Sequence, residues 1–437
     1  MRIVDFGRFG RGAISASEPT TWSTASSEAG SVTSNVWTPG KDANGYVTQA
    51  SVDALPANTW VQVAGSQLNN LTAALTALTG FAFSRYDVSG DGIRGTFDAW
   101  VGCCHDGKSV FFHRGGGHAD NSSNGIWRFD ALRMEWAIEK APSDPQDATH
   151  PWSSRYSQAG APNNPTGSYT QYVDDDGVVL DSDGLYWDRL PDGNPTSMHT
   201  YNGVWYRPTG RQLGTSRISK WVYSRDTGLW TRNRWTLGGV VATSTIYSDL
   251  HYHAGQDAVY GPILVNDFDY GSFKKFAADS AITSNPTKPT GWQVRGATGV
   301  RLDDDRVWWS WQNSGEQAAI HNMATETWEE LGAVTDGKTI NGFASMNAGV
   351  FVPTWGAEGQ IIRRGAGDSG IASQWWLYDL ATNANLTYTP AGAPPSTGTV
   401  YPGNKYLRLP ALGIVFAMHE ARSIATTEPV IHVMRYT

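Results

Sequence analysis

The sequence has little of what several protein classes depend on. It contains only 2 cysteines and 9 lysines in 437 residues, and 17% of its residues are charged. Its longest wholly apolar stretches are only a few residues, far short of the roughly 20 needed to span a bilayer. The formal charge is −8 and no basic run is present, whereas proteins that bind nucleic acid cluster Lys and Arg against the phosphates. We therefore expect neither membrane insertion nor nucleic-acid binding.

The few cysteines and the N-terminus also bear on the compartment. Cys103 and Cys104 are neighbours in a predicted strand, where successive side chains point to opposite faces, so no disulfide is expected. Residues 1–12 contain several charged side chains and lack the apolar core of a secretory signal. Abundant Ser, Thr, Gly and Trp nonetheless resemble an extracellular composition. A bacteriophage virion protein, made in the host cytoplasm and released by lysis, would reconcile the two observations.

Aromatic residues and glycines, in contrast, are plentiful. The chain has 20 Trp, 18 Tyr and 48 Gly, a mixture typical of many short strands joined by glycine-rich turns. This composition predicts an all-β protein.

A repeated pair of tryptophans indicates the architecture. Trp127 and Trp136 lie nine residues apart, as do Trp221 and Trp230. Trp328 ends a third such unit, and the unit that begins at Trp376 has Asn385 where the second Trp would fall. Each unit reads as a third strand, a tight turn and a fourth strand. Because two further alternating runs precede each unit, the pattern predicts blades of four strands, and we count six.

Three sequence segments carry a family resemblance. They are Gly115 to Asp120, Asn124 to Asp130 and Met198 to Gly203. On these segments the chain resembles bacterial kelch-like β-propellers, whose fold is that of the central domain of galactose oxidase. The resemblance implies a ring of blades over about residues 57–437. It implies little about function, because propellers host unrelated activities.

The ring should close between the two ends of the propeller. Thr59 to Val63 reads as a strand without a blade, and Val430 to Arg435 lacks a following partner. Pairing the two, with Trp60 on the closing strand, would protect both edges. Residues 1–56 are rich in Ser, Thr and Gly without periodicity and are predicted to be an arm that anchors the propeller to other virion proteins. Residues 142–195 are predicted to form a long insertion between the first and second blades.

Functional residues are expected on the face formed by the loops between second and third strands and between blades, around one mouth of the central channel. His118, His199 and His419 are candidate ligand-binding residues there. Their spacing matches no metal signature, and turns such as Asp303 to Asp305 lack the pattern of a strong calcium loop. We therefore predict no metal and no cofactor.

Two resemblances to enzymes are only partial. Galactose oxidase binds copper through two His and two Tyr and links a Cys to a Tyr, and no such set can be matched here. Ser224 to Trp230 looks like a shortened sialidase turn motif, which occurs once, and Arg363 and Arg364 could supply donors to a sugar carboxylate.

Three tryptophans complete the candidate binding set. Trp152, Trp311 and Trp355 fall in or beside the predicted loops, and an exposed indole can stack on a sugar ring or anchor a protein partner. The main hypothesis is therefore a non-enzymatic binding or structural protein of a virion tail, fibre or capsid, present in several copies and attaching to host-surface glycan or protein. The alternative is a glycan-active enzyme of oxidase, sialidase or lyase type, with its site at the channel mouth.

Overall fold

The computed structural model of the chain is an all-β propeller. It describes residues 19–25, 28–68, 70–82, 97, 101–113, 123–143, 194–195, 200, 203–216, 219–234, 236–237, 240–241, 249–262, 273–277, 282–284, 286–292, 297–312, 315–335, 348–364, 375–395, 405–418 and 430–437. No helix in these ranges is long and apolar enough to cross a membrane.

The chain begins with a small N-terminal unit and continues into the blades. The N-terminal elements are β1 (Ser31–Thr33), β2 (Val36–Thr38), α1 (Gln49–Asp53), β3 (Thr59–Val63) and α2 (Asn70–Thr79). The first two blades are β4 (Cys103–His105), β5 (Ser109–His113), β6 (Ile126–Asp130) and β7 (Glu135–Lys140), then β8 (Val204–Arg207), β9 (Gln212–Ser216), β10 (Ser219–Ser224) and β11 (Leu229–Arg234). A two-stranded hairpin follows, β12 (Thr236–Leu237) and β13 (Val240–Val241).

Three more four-stranded blades and a closing set of strands complete the ring. The blades are β14 (His251–His253), β15 (Ala258–Pro262), β16 (Phe273–Ala277) and β17 (Ile282–Ser284); β18 (Thr298–Arg301), β19 (Arg306–Gln312), β20 (Glu316–Asn322) and β21 (Thr327–Ala333); and β22 (Ala348–Val352), β23 (Gln360–Arg364), β24 (Trp375–Asp379) and β25 (Ala384–Thr387). The closing strands are β26 (Ala391–Gly392), β27 (Tyr406–Leu409), β28 (Ile414–Met418) and β29 (Ile431–Arg435).

The number of blades corrects the sequence analysis. Five sheets of the described chain are four-stranded antiparallel blades, not six. The remaining large sheet has seven strands, in the order β1-β2-β3-β29-β28-β27 with β26 also on β3. The prediction of six like blades is wrong because β2 and β26 both pair in parallel with the outer edge of β3, which turns the closing sheet into a larger unit.

The predicted closure of the ring is confirmed. β3 pairs antiparallel with β29, and Trp60 lies opposite Met434. The Trp60 side chain is fully buried, and its ring centroid lies 6.2 Å from that of Trp375 and 6.4 Å from that of Tyr406. The closing strand therefore supplies both the last hydrogen-bonded partner and an aromatic core residue.

The described part of the N-terminal segment is not a free arm, which corrects the expectation for residues 1–56. Trp37 is fully buried and its indole N–H donates to Ser51 Oγ at 3.2 Å. The indole N–H of Trp22 donates to the carbonyl of Leu412 at 2.9 Å. The segment that was expected to attach to other proteins is instead anchored, through these aromatic residues, to its own propeller. Residues 1–18 lie outside the described residues.

One tight turn recurs between third and fourth strands and explains the repeat. Asp130, Asn322 and Asp379 each end a third strand, and one side-chain oxygen of each accepts backbone N–H groups two or three residues on. Four residues after the first two of these, Met134 and Glu326 adopt positive φ angles of 50° and 58°. The side chain of the first turn residue thus satisfies the backbone of the turn.

The turn fixes the register of the repeated tryptophans. Trp136 pairs with Phe129, Trp230 with Tyr223 and Trp328 with His321, and all three indoles are half-buried rather than exposed. Trp230 contacts His113 and Trp328 contacts Phe273, each on the preceding blade. These residues are therefore equivalent in the repeat and pack between neighbouring sheets. The same register puts Asn385 opposite Tyr378.

Candidate functional site

A central cavity of about 900 Å³ is the candidate site in the described chain. Its walls are the six inner strands, β4, β8, β14, β18, β22 and β27, and the turns that follow them. Neighbouring inner strands contact one another around the ring, so each contributes its last residues to the same space. The size falls within the usual range of small-molecule sites, roughly 300–1,000 Å³.

The cavity lies at the end of the blades opposite to the end where the functional residues were expected. The turns after the first strands of the blades border it, whereas the sequence analysis placed function on the loops between second and third strands and between blades. Much of that other face, including residues 114–122 and 144–193, lies outside the described residues.

The predicted site residues are therefore distributed unevenly. His118, Trp152, His199 and His419 lie outside the described residues. Trp311 is buried, and its indole N–H donates to the carbonyl of Gly291 at 3.1 Å. It is a core residue of its blade and presents no exposed face for stacking.

Trp355 occupies another place than predicted. It follows β22, in the connection between first and second strands, and is half-buried. Its indole N–H donates to Asn58 Oδ1 at 3.0 Å, and its ring lies 5.8 Å from that of Tyr388. Trp355 thus joins its blade to the segment before the closing strand, and it does not line the cavity.

The two adjacent arginines proposed as donors to a sugar carboxylate are also committed elsewhere. Arg363 and Arg364 are buried, each 2% exposed. Arg363 Nη2 lies 2.6 Å from Glu316 Oε1, and its Nη1 donates to Asn385 Oδ1 at 3.0 Å. Arg363 therefore joins two blades and is not a cavity residue.

Histidines of the inner strands form one group of cavity side chains. His251 and His253 alternate with Tyr252 on β14, so both point toward the next blade. The His251 ring stands edge-on to Trp309 at 5.3 Å, and His253 Nε2 lies 2.9 Å from Asp305 Oδ1. Burial, reinforced by the charge of Arg301, lowers the pKa of His251 to about 3. His251 is therefore neutral at pH 7.

His105 ends β4 and faces the same space. Its Nδ1 accepts the backbone N–H of Gly107 at 3.1 Å, so the neutral ring carries its proton on Nε2. Burial, with the charge of Arg301 as the next cause, lowers the pKa of His105 to about 4. This side chain therefore offers a neutral N–H donor at physiological pH.

Arg301 and Arg408 provide the positive charge of the cavity. Arg301 donates to the carbonyls of Tyr252, Asp303 and Asp304 at 2.6, 3.0 and 2.9 Å. Arg408 donates to the carbonyl of Leu302 at 2.9 Å and lies over the ring of Phe351 at 5.3 Å. Burial lowers the pKa of both guanidinium groups from an ordinary value that is very high, so both stay protonated.

The carboxylates near the cavity are mostly held by other cations. Asp106 lies 2.9 Å from Arg225 Nη1, in a pair whose side chains are only 4% and 5% exposed. Asp303 accepts the backbone N–H groups of its own turn and the Arg306 side chain, which hold the pKa of its carboxyl below the usual value despite partial burial. The Asp303 to Asp305 turn is thus stabilised by its own hydrogen bonds. Among the described residues no group of three or more His, Cys, Asp or Glu side chains is placed to hold a metal ion.

The candidate binding residues of the sequence analysis include neither these cavity histidines nor Arg301 and Arg408. The available signal was positional, because all of these residues stand on the inner strands of their sheets. Which side chains converge there depends on how the blades are arranged around the ring.

Comparison with known proteins adds a fold-level likeness. No family model matches the chain, and no curated protein matches it by sequence. Similar solved structures include an α-L-arabinanase of Penicillium chrysogenum complexed with arabinobiose, 9% identical over 77% of this chain and 93% of that chain, with a TM-score of 0.38. A GH93 α-L-arabinofuranosidase of Fusarium graminearum is 10% identical over 80% of this chain and 96% of that chain, with a TM-score of 0.42. A chain of a mitotic checkpoint complex is 9% identical over 78% and 90%, with a TM-score of 0.36.

These findings correct the functional hypothesis. The non-enzymatic virion component is not proposed again. Two of the similar structures are named as an α-L-arabinanase and a GH93 α-L-arabinofuranosidase, the class of protein in the alternative of a glycan-active enzyme. At these identities and TM-scores the likeness says nothing about which residues act, so the chemistry has to be argued from the cavity itself.

Proposed function

We propose that this chain is a glycan-active β-propeller that takes a saccharide into its central cavity. The observation that carries the proposal is the lining of that cavity. Neutral imidazoles, guanidinium groups and the Gln256 amide project there together with the rings of Tyr206, Tyr252 and Phe351. A sugar ring presents hydroxyl groups at its edge and C–H groups on its faces, and this mixture of polar donors and aromatic surface suits both.

The described lining supports binding more directly than hydrolysis. Glycoside hydrolysis generally needs two carboxyl groups, one of which stays protonated at the working pH. Among the lining carboxylates, Asp303 has the opposite property, since Arg306 favours its ionised form, and Asp106 is paired with Arg225. The other two, Asp304 and Asp305, have exposed side chains, where burial does not favour the protonated form. We therefore assign substrate binding to the described cavity, and the assay separates binding from turnover.

The kelch-like relationship is part of this proposal. The shared turn between third and fourth strands, with its side-chain oxygen cap, supports it. The expected absence of nucleic-acid binding stays a prediction, as does the presence of several copies in an assembly.

The test uses the full chain and a panel of oligosaccharides that includes arabino-oligosaccharides, other neutral plant and bacterial glycans, and uronic-acid oligomers. Binding is measured by isothermal titration calorimetry, and hydrolysis by release of reducing ends. His105→Ala removes a cavity donor and should weaken binding of whichever glycan is taken at least about fivefold. Thr325→Ala, an exposed turn residue outside the cavity, is the matched control and should bind normally.

Either of two results would overturn the proposal. One is that no glycan of the panel binds. The other is that a glycan binds equally well to wild type and to the His105→Ala variant while both keep the same near-ultraviolet circular dichroism.

A further inference from the structure

Two guanidinium groups of the cavity are held by carbonyl oxygens rather than by buried carboxylates. Arg301 uses three of its five N–H donors on backbone carbonyls. The hydrogen bond from Arg408 in the described part of the chain goes to the carbonyl of Leu302. A carbonyl oxygen fixes the position of an arginine but does not neutralise its charge. Both side chains therefore keep net positive charge and spare donors.

The acidic groups nearby do not cancel this charge. Asp303 pairs with Arg306 at 2.7 Å, and Asp305 Oδ1 lies 2.9 Å from His253 Nε2, with 56% of the Asp305 side chain exposed. Asp304 approaches Arg301 only to 3.7 Å, and its side chain is fully exposed, where an ion pair is worth little. The nearby carboxylates are thus either paired with another cation or open to solvent, which weakens their hold on the two arginines.

Chain geometry brings the two arginines toward the same space from different sides of the ring. Arg408 extends from β27 across Phe351 of β22 to the carbonyl of Leu302, which directly follows β18, the strand that carries Arg301. Both residues line the cavity, and their charges act on one another and on His105. Because like charges repel, their joint placement favours a negatively charged occupant.

We propose that Arg301 and Arg408 bind a carboxylate of the ligand, so that the saccharide taken into the cavity is an acidic one that contains a uronic acid or a similar sugar acid. This inference rests on the proposed function and names its substrate class. A planar guanidinium presents paired N–H donors that match the two oxygens of a carboxylate. The neutral Nε2–H of His105 is a further donor for a sugar oxygen, and it adds no charge at pH 7.

The test compares two ligands that differ in the charge of their carboxyl groups. Tri-galacturonate and its fully methyl-esterified form have the same rings and linkages, and their affinities for the full chain are measured by isothermal titration calorimetry. We expect the acid to bind at least about tenfold more tightly than the ester. We also expect the affinity for the acid to fall as salt is raised, since salt screens the charge.

Variants then locate the charge. Arg408→Gln should weaken binding of the acid at least about tenfold and binding of the ester much less, and Arg408→Lys should give an intermediate loss of acid binding because the charge remains while the paired donors are gone. Arg211→Gln is the matched control, since Arg211 is exposed, pairs with Asp226 and does not line the cavity. Near-ultraviolet circular dichroism checks that each variant is folded, and Arg408→Lys keeps the test informative if Arg408→Gln does not fold.

The outcomes separate the two proposals. If the cavity binds a neutral glycan of the panel and not the acid, or if it binds tri-galacturonate and its methyl ester with equal affinity, the proposed function stands and the acidic-ligand inference is wrong. If no oligosaccharide binds, the proposed function fails, and galacturonate, acetate and inorganic phosphate are titrated alone. Binding of these carboxylates but not of phosphate, lost in Arg408→Gln, would retain the carboxylate site, whereas binding of phosphate or of none of them would overturn it.

Discussion

The buried ion pair between the fourth and fifth four-stranded blades offers the sharpest test of how the ring is held together. Arg363 on β23 and Glu316 on β20 lie 2.6 Å apart, with side chains only 3% and 6% exposed. Asn385 connects them, since Arg363 Nη1 donates to its Oδ1 and its Nδ2 donates to Glu316 Oε2, both at 3.0 Å. Asn385 stands where other blades have a tryptophan, so this polar network takes the place of an aromatic contact between blades.

Replacing Arg363 by Met removes the cation and leaves Glu316 buried without its charge partner. Removing one partner of a buried pair typically costs about 3–5 kcal/mol, and we expect Arg363→Met to lower the free energy of unfolding by that amount. Adding Glu316→Gln removes the uncompensated charge as well. The double variant should then be more stable than the sum of the single losses by about 2–3 kcal/mol, the upper range for groups in one network.

The assay is equilibrium unfolding in urea, which does not screen charge, followed by tryptophan fluorescence. Arg211→Met is the matched control, because Arg211 and Asp226 form an exposed pair at 3.2 Å with side chains 44% and 53% exposed. Such a pair contributes about 0–1 kcal/mol. If Arg363→Met costs no more than Arg211→Met, or if the two buried substitutions simply add, the reasoning about the network is refuted.

Three further predictions concern the closure, the packing and the pH response. Trp60→Ala should cost about 3–5 kcal/mol in urea unfolding, because it empties a fully buried aromatic site on the closing strand; the half-buried Trp355→Ala should cost clearly less, and equal losses would contradict the closure argument. Gly214→Ala should abolish native near-ultraviolet circular dichroism, since its Cβ would lie 1.9 Å from the ring of Trp205, whereas Gly315→Ala, with no atom within 4 Å, should fold normally; a native spectrum for both would show that the sheets are less tightly packed. Burial lowers the pKa of His321 to about 3 in the folded protein, whereas the same imidazole in the unfolded chain titrates near its ordinary value of about 6.5. Below pH 6.5 the unfolded chain therefore binds a proton that the folded protein does not, and the free energy of unfolding should fall as the pH drops from about 6.5 toward 3. Between pH 7 and pH 5 this one residue should account for about 2 kcal/mol of that loss; His321→Phe should lessen the loss by this amount, and an unchanged pH profile would show that His321 is not responsible.

Part of the fold could be predicted because it depends on short-range sequence signals. The nine-residue spacing of tryptophans predicted the turn and the register of the outer strands, since a four-residue connection capped by Asp130 or Asn322 needs only local backbone and side-chain atoms. The closing strand with Trp60 could also be predicted, because a strand that lacks a partner at one end of the chain implies a partner at the other.

The number of four-stranded blades and the state of the N-terminal segment could not be predicted in this way. Trp22 bonds to Leu412 across 390 residues of sequence, and β2 pairs in parallel with β3. No local pattern encodes such contacts, because an aperiodic segment acquires its strands only from the edge that it meets. Composition therefore suggested an arm where the tertiary structure has an extension of the closing sheet.

The candidate site shows the same division. The sequence by itself determined the all-β repeat, the turns and the place of Asn385 in the pattern, since each of these follows from residues close together along the chain. Only the tertiary structure decided that Arg301 and Arg408, 107 positions apart in the sequence, line one cavity with His105, and that Trp311 is buried while Asn385 connects two blades. Those outcomes depend on how the inner strands are arranged around the axis, which is set by the packing of whole sheets against one another.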